Sequence, residues 1–230
     1  MKVWVFVEGE SDRLALDALW RAWKERLRAA RHGIAIIPLE DKNRFFKKIG
    51  RHAAERLVAN PNDLAVGLPD FYPNAIYANT SFRHSDVDEL KQIQTREVKR
   101  ALNEVFGKQG NETKQLLLRF FPSVLKHDLE MLLLAAQQEL GSYLRVSGSL
   151  GAWRKPVEDQ NQQRPPKRVV EELFRTKRGW TYRDTIHAPA VLGRVTNIHS
   201  VLFGNRNQVQ CPVFKETLDW IGKKIAIPAY

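Results

Sequence analysis

The chain has 230 residues, of which 43% are hydrophobic, and it carries a net charge of +11. That length suits one large domain or one α/β domain with an appendage, and the composition is ordinary for a globular protein. No apolar run in the sequence reaches the roughly 18–20 residues of a membrane-spanning helix. The lone Cys211 excludes an intramolecular disulfide and a multi-cysteine zinc site. We therefore expect a cytoplasmic protein with no membrane partner.

The strong positive charge predicts a polyanionic partner, and nucleic acid is the usual one. Lysine and arginine are spread along the chain rather than gathered in a tail, which favours a basic face on a folded surface. Two alternatives remain open. The basic surface could serve solubility alone, or it could bind an acidic protein.

The chain opens with an apolar strand that ends on an acid. Val3–Val7 is a continuous apolar run, which is typical of a strand buried on both faces, and Glu8 follows it. A helix is predicted from about residue 12 to residue 31, with Asp12 in its first turn. Because open α/β sheets place their chemistry at the carboxyl ends of strands, both acids are candidate site residues. Alternatively, Asp12 has no functional role and only stabilises the start of the helix through the helix dipole, by roughly 0.3–1 kcal/mol.

Two further strands alternate with a helix. Residues 34–39 and 63–68 are predicted as strands, and residues 44–59 as an amphipathic helix with Lys47 and Arg51 on its basic side. That helix side could bind nucleic acid or could simply be solvated. The alternation predicts a parallel sheet covered by helices.

Asp70 follows the third strand, so we expect it at the same sheet edge as Glu8. Two carboxylates from separate strand ends can hold a divalent cation, because magnesium takes a few carboxylates and keeps several waters. A plain turn aspartate is an equally good interpretation of Asp70, since Pro-Asp is common turn chemistry.

The next elements are a predicted helix near residues 86–106, a fourth strand at residues 114–121 and a leucine-rich helix starting near residue 123. His127 and Glu130 are three residues apart, which would place them on one face of that last helix. Such a face could add a ligand or a base to the carboxylates. An exposed polar face on a core helix is the commoner situation.

A shift in composition divides the chain. Residues 141–164 are rich in Ser, Gly, Gln, Asn and Pro, which predicts a linker between a core of residues 1–140 and a mainly helical extension of residues 165–230 packed on it. The extension carries basic residues that could contact phosphate or could be ordinary solvated surface: Lys167, Arg168, Arg175, Arg178 and Arg183.

Three stretches of the sequence together resemble one family: Val7–Asp12, Asp70–Tyr72 and His127–Leu133. A fourth stretch, Tyr182–Thr185, resembles the tail of the same family. The family consists of uncharacterised bacterial proteins with a TOPRIM-like fold, related to the overcoming-lysogenization-defect nucleases and often encoded beside an ATPase. The resemblance implies a Rossmann-like, mostly parallel sheet flanked by helices, with a helical C-terminal extension. It also implies a nucleic-acid substrate, a partner ATPase of the structural-maintenance type, and a role in defence against phages or mobile elements.

The resemblance further implies a Mg²⁺- or Mn²⁺-dependent nuclease. Its metal ligands would be Glu8, Asp12, Asp70 and Asp128, and its catalytic residues Glu8, Asp70, His127 and Glu130. One departure stands out, because the wider TOPRIM pattern has two aspartates flanking one residue after the third strand, and Leu68 occupies the first position here. The missing acid favours an alternative, a non-catalytic nucleic-acid-binding or scaffolding subunit on a degenerate TOPRIM core. A toxin-like effector held inactive by an ATPase is a third interpretation.

Overall fold

One parallel sheet forms the middle layer of the fold in this computed structural model, which describes residues 1–160, 163–204 and 208–230. In that part of the chain the sheet has four strands in the order β2-β1-β3-β4, and every pairing is parallel. The strands are β1 Lys2–Val7, β2 Gly33–Pro38, β3 Leu64–Leu68 and β4 Phe120–Pro122. The predicted α/β class with a parallel sheet flanked by helices is confirmed.

Helices cover both faces of this sheet. In chain order they are α1 Glu10–Leu19, α2 Arg21–Ala29, α3 Lys42–Ala59, α4 Val87–Glu104, α5 Gly110–Leu117, α6 Glu130–Ala135, α7 Gln137–Tyr143, α8 Pro166–Arg178, α9 Asp184–Leu192, α10 Ile198–Leu202 and α11 Pro212–Ile225. Helices α3, α4 and α5 pack on one face, and the others pack on the opposite face. No helix among the described residues combines the length and the hydropathy needed to cross a bilayer.

Each face of the sheet has its own hydrophobic core, and β1 contributes to both. Val5 enters the core beneath α1, whereas Phe6 enters the core beneath α3, because side chains alternate between the two faces of a strand. Trp20, which follows α1, stacks on Phe214 of α11 with ring centroids 6.2 Å apart. The first and last helices therefore share one core. The proposed division at residues 141–164 stays a prediction.

The predicted strand at residues 114–121 is wrong in most of its length. Helix α5 ends at Leu117, and β4 begins only at Phe120. The stretch contains Leu, Gln and Lys, which favour helices, and no β-branched residue before Arg119. Thr113 and Leu116 are buried three residues apart, which is the spacing of a helix side that faces a core.

Two predicted helices also begin and end elsewhere. The helix predicted at residues 12–31 is two helices that meet at Trp20, and α1 begins at Glu10. The leucine-rich helix begins only at Glu130, because the preceding segment continues the parallel pairing with β3. There, the Phe71 amide donates to the Leu125 carbonyl at 2.7 Å, and the Leu125 amide donates to the Pro69 carbonyl at 2.9 Å.

Candidate functional site

Glu8 and Asp70 lie side by side at the carboxyl edge of the sheet. Val7 and Leu68 are register partners in the neighbouring parallel strands β1 and β3, so the residues that follow them leave the sheet together. The Asp70 amide donates a hydrogen bond to Glu8 Oε1 at 3.2 Å. The structure thus places both acids at one edge, as the alternation of strands and helices predicts.

Lys42 is the cation that faces these two acids. It is the first residue of α3, and its Nζ lies 3.4 Å from Glu8 Oε1. The same Nζ donates to the backbone carbonyls of Asp70 at 2.7 Å and Tyr72 at 3.2 Å. Sequence reasoning did not assign Lys42 to the site. A usable signal was its place just after β2, because a helix that follows a parallel strand begins at the carboxyl edge.

Asp12 approaches the same edge from the first turn of α1. Its Oδ2 accepts a hydrogen bond from the Gly9 amide at 2.9 Å, and only 7% of the residue is exposed. The charges of Asp184 and Lys42 are close enough to shift the pKa of Asp12, and the charge of Asp12 in turn raises the pKa of Glu8. Asp12 therefore lies in the same group of charged side chains as Glu8 and Lys42.

A second group of charges, from α6, α8 and α9, adjoins the first. Lys167 Nζ lies 3.5 Å from Asp184 Oδ2, and its charge also acts on Asp128 and on the buried Glu130. Asp128 Oδ1 is buried, and no hydrogen-bond partner for it exists among the described residues. Tyr182 lies beside Glu130, and burial and this carboxylate raise the pKa of its phenol.

We call the six carboxylates of these two groups the acid cluster. Its members are Glu8, Asp12, Asp70, Asp128, Glu130 and Asp184. Lys42 and Lys167 are the two ammonium groups that face it. Glu8, Asp12 and Glu130 are buried and the other three are half-buried. Acids with perturbed pKa values gather at functional sites, so the acid cluster is the candidate site.

Burial keeps several of these acids partly protonated near neutral pH. Burial, with the nearby Asp12 charge, raises the pKa of Glu8 to about 7 even though Lys42 lowers it. Burial raises the pKa of Asp12 to about 6, and burial with the Glu130 charge raises that of Asp128 to about 8. Burial and the charges of Glu8, Asp12 and Asp128 hold the pKa of Asp70 well above its usual range. The acid cluster can therefore hold and exchange protons at physiological pH.

The donor chemistry of the acid cluster suits a hard divalent cation, because Mg²⁺ and Mn²⁺ prefer carboxylate oxygen. The buried, unpartnered Asp128 Oδ1 is the kind of atom that a cation would satisfy. As they stand, however, no three His, Cys, Asp or Glu side chains in the described ranges are arranged to hold a metal ion. Glu8 is turned toward the Asp70 amide and Lys42 instead.

His127 differs from its predicted position. It precedes α6 and so does not share a helix face with Glu130, because the chain around it is a turn. Its ring packs on Tyr72 with centroids 5.1 Å apart and borders a cavity of about 880 Å³ with Lys126 and Arg154. Burial lowers the pKa of the imidazole, and its Nδ1 has no partner within the described chain. His127 therefore lies next to Asp128 in sequence but faces a separate cavity.

The predicted nucleic-acid-binding residues do not form one continuous track. Lys47 and Arg51 are exposed on α3, on the opposite face of the sheet from α8. Lys167 is turned into the acid cluster. The remaining predicted residues lie on or just after α8, on the protein surface: Arg168, Arg175, Arg178 and Arg183.

Sequence reasoning missed Lys42, Tyr182 and Asp184 as members of the site. Tyr182 and Asp184 belong to a stretch that carries the family resemblance, and that was the available signal. Their role could not be predicted from sequence alone because α9 approaches the acids only through its packing on α1.

The free energy of unfolding should decrease as pH rises from about 4.5 to 8 in chelator. A carboxyl group whose pKa is higher in the folded than in the unfolded protein binds its proton more tightly when folded, so its stabilising contribution is lost as pH rises through the folded value. For Asp12, Glu8 and Asp128 those values are about 6, 7 and 8. Buried His127, with its lowered pKa, acts in the opposite direction over part of this range.

The comparison of wild type with Glu8→Gln isolates the contribution of the acid. Urea unfolding at pH 5 and pH 8 should show a decrease that is smaller in the variant by about 1–3 kcal/mol. Equal decreases in both proteins would mean that the pKa of Glu8 is not raised by folding.

Comparison with solved structures gives a distant likeness. A structure described as the C-terminal region of the OLD protein of Xanthomonas campestris pv. campestris has a TM-score of 0.36 and 16% identity to this chain, with 84% of this chain and 85% of that chain covered. A likeness of this degree supports no conclusion about function. No curated protein matches the chain.

Comparison with protein families gives a match over nearly the whole chain. Residues 7–221 match the family described as a domain of unknown function, DUF4276. The matched range begins with the last residue of β1 and ends within α11, so it includes every member of the acid cluster. The chain therefore belongs to the DUF4276 family.

Proposed function

We propose that the protein is a metal-dependent phosphodiesterase of TOPRIM type that cleaves nucleic acid. The observation that carries this proposal is the acid cluster, formed where two neighbouring parallel strands and three helices meet. Enzymes that transfer phosphoryl groups use such acids to hold hard cations. The net charge of +11 supports a polyanionic substrate.

In this proposal each residue of the site has a distinct role. Glu8, Asp12, Asp70 and Asp128 would hold Mg²⁺ or Mn²⁺, which when bound lowers the pKa of water and offsets charge on a phosphate. Glu130, whose pKa is raised by burial, can hold a proton for the leaving oxygen. Lys42 and Lys167 face the acids and can offset the charge that a phosphate brings. His127 faces the neighbouring cavity, and its predicted catalytic role stays a prediction.

A nuclease assay tests the proposal directly. Purified protein should cleave at least one of plasmid DNA, single-stranded DNA or RNA in Mg²⁺ or Mn²⁺, and should cleave none of them in chelator. No cleavage of any of these substrates with either metal would contradict the enzymatic function.

The second candidate function is a non-catalytic nucleic-acid-binding or scaffolding subunit. Two observations favour it: Leu68 occupies the place of an expected acid, and no ready-made ligand set exists among the described residues. In that case Lys42 would permanently take the place of a metal by pairing with Glu8. The two candidates differ in whether the acid cluster binds a divalent cation.

Addition of Mg²⁺ or Mn²⁺ should raise the midpoint of thermal unfolding. A cation at the acid cluster relieves repulsion among the buried carboxylates, and at a concentration of 100 times its Kd it would stabilise the protein by about 2.7 kcal/mol. Scanning calorimetry with and without metal measures this shift. The Asp70→Asn variant should lose most of it.

Asp63→Asn is the matched control for the metal experiment. Asp63 is as buried as Glu8, but it lies at the opposite end of β3, where it accepts hydrogen bonds from the Lys2 amide at 2.9 Å and from Trp4 Nε1 at 3.0 Å. This variant should start from a lower midpoint and keep the full metal shift. A metal shift that is equal in wild type and Asp70→Asn would place any bound cation elsewhere.

We extend the proposal to a partner ATPase and a role in defence, for which the sequence resemblance is the support. Copurification of the chain with an ATPase encoded beside it would test the partnership. Failure of that experiment would leave the proposed chemistry of the acid cluster untouched.

A further inference from the structure

A groove lies along the exposed side of α8, beside the acid cluster. It has a volume of about 730 Å³ and is bordered by the segment that connects α8 to α9. We call it the α8 groove. Its charged and aromatic borders are Arg164, Arg168, Arg175, Glu171, Glu172, Trp180 and Tyr182.

The charge of the α8 groove favours a phosphate chain. Three arginines face two glutamates, and one of these glutamates, Glu172, pairs with Arg164 at 2.8 Å. That pair offsets its own charge, and the two remaining arginines exceed the remaining Glu171 by one positive charge. Arg168 and Arg175 are both exposed and lie about two turns apart on the helix. Arginine suits phosphate because its planar guanidinium donates two parallel hydrogen bonds.

Trp180 adds an aromatic surface to this groove. It is 39% exposed, which is unusual for a tryptophan in a folded protein. The guanidinium of Arg178 lies over its ring, 4.5 Å from the centroid. Arg178 Nε is buried and finds no hydrogen-bond partner in the described part of the chain, so the guanidinium has to leave the indole before this donor can reach an anion. The His187 ring also stacks on this indole, with centroids 6.4 Å apart and an angle of 10° between the planes, so a base can stack on Trp180 only by displacing one of these two groups.

The α8 groove and the acid cluster are adjacent, because Tyr182 and the neighbours Lys167 and Arg168 lie between them. Arg168 borders the groove, whereas its neighbour Lys167 reaches Asp184 in the cluster at 3.5 Å. Tyr182 borders the groove and also lies beside Glu130. A chain bound in the groove would therefore pass close to the acids.

We propose that the α8 groove binds single-stranded nucleic acid, with a base stacked on Trp180 and phosphates on Arg168 and Arg175. The inference rests on the proposed function and names its substrate class. In a duplex the bases are already stacked on one another, so an indole on the protein surface gains nothing from them, whereas an unpaired base can stack on it. The base takes the place of the Arg178 guanidinium, and Arg178 then pairs with a phosphate.

Binding of labelled oligonucleotides in chelator tests this inference without any cleavage. Fluorescence anisotropy would compare a single strand with the duplex of the same sequence, for both DNA and RNA. A length of about 12 nucleotides is suitable, because the grooves of known single-strand-binding domains hold roughly 4–16 nucleotides. Single strands should bind more tightly than the duplex. Trp180→Ala should weaken single-strand binding by roughly 10-fold or more, and Trp180→Phe should retain most of the affinity.

The phosphate contacts are tested by salt dependence. Arg168→Ala with Arg175→Ala should flatten the slope of log affinity against log salt by about 1.4, since each single-strand phosphate contact contributes roughly 0.7. The matched control is Lys99→Ala with Lys114→Ala, which removes the same charge from exposed positions of α4 and α5 on the opposite face of the sheet. That control should leave the slope unchanged.

Two results would overturn the inference: duplex bound as tightly as single strand, or Trp180→Ala bound as tightly as wild type. Circular dichroism of Trp180→Ala establishes that this variant is folded. Failure of the groove is distinguishable from failure of the chemistry. The Glu8→Gln, Asp70→Asn double variant should bind single strands like wild type without cutting them. If the wild-type protein cleaves nucleic acid but Trp180→Ala binds single strands as tightly as wild type, only the inference about the groove is contradicted.

Discussion

Replacement of Glu8 by Gln or of Asp70 by Asn should reduce nucleic-acid cleavage by roughly 1,000-fold, about 4 kcal/mol of activation free energy. Each variant removes one negative charge from the point where β1 and β3 leave the sheet, and the amide that replaces it is a weak ligand for a hard cation. The measurement is the initial rate of cleavage in saturating Mg²⁺ or Mn²⁺.

The same two variants should remain as stable as wild type, or become slightly more stable, at pH 8 in chelator. The raised pKa of Glu8, about 7, shows that folding penalises its ionised form, and a neutral amide carries no such penalty. In the Glu8→Gln variant, the side-chain carbonyl can still accept the hydrogen bond that the Asp70 amide donates to Glu8. A loss of activity that is accompanied by a large loss of stability would indicate a structural role for these acids.

The control is Asp63→Asn, which should lower stability but not activity. Asp63 is equally buried at the far end of β3 and holds the start of β1 through the Lys2 amide and Trp4 Nε1. Its replacement should lower the free energy of unfolding by about 1 kcal/mol and leave cleavage unchanged. If Asp63→Asn and Asp70→Asn reduced cleavage equally, the acid cluster would not be the active site.

Phe214→Ala should be the most damaging substitution for stability, with a loss of about 3–5 kcal/mol. Phe214 is fully buried in α11 and stacks on Trp20 at the end of α1, 6.2 Å between centroids. Truncation would leave a cavity between the first and last helices, which the surrounding structure fills only in part. The measurement is urea unfolding followed by circular dichroism and by tryptophan fluorescence.

The unfolding curves also test the predicted division of the chain. Because Phe214 and the strand residue Val5 belong to one core, both probes should report a single transition at the same urea concentration, shifted as a whole in the variant. Two separate transitions, with only one of them shifted, would show that residues 165–230 fold as an independent unit. Ile186→Ala is the control, since Ile186 is an exposed apolar residue of α9, and it should change stability by less than about 0.5 kcal/mol.

The architecture around β1, and the edge where the acids gather, could be predicted from the sequence. The uninterrupted run Val3–Val7 requires burial on both faces of a strand, and in an alternating strand–helix chain that requirement leads to a parallel sheet. In such a sheet Glu8 and Asp70 must leave at the same edge. Those positions follow from local patterns, so they needed no knowledge of tertiary contacts.

Local patterns failed where two secondary structures were compatible with the same residues. The stretch Lys114–Leu118, just before β4, suits a helix or a buried strand, and its packing against α4 selects the helix. His127 was expected on a helix face with Glu130. Because Leu125 pairs with the chain around Asp70, the helix begins only at Glu130. Tertiary hydrogen bonds outweighed the spacing of two polar residues.

The distant residues that complete the site are brought there by tertiary packing. Asp184 and Tyr182 reach the acids because α9 packs on α1, and Lys167 reaches them because α8 begins beside α6. No local pattern in the sequence indicates that these three residues face Asp12, Asp128 or Glu130. The free energy that places them comes from burial of apolar side chains elsewhere on the same helices, and that packing is a property of the whole chain.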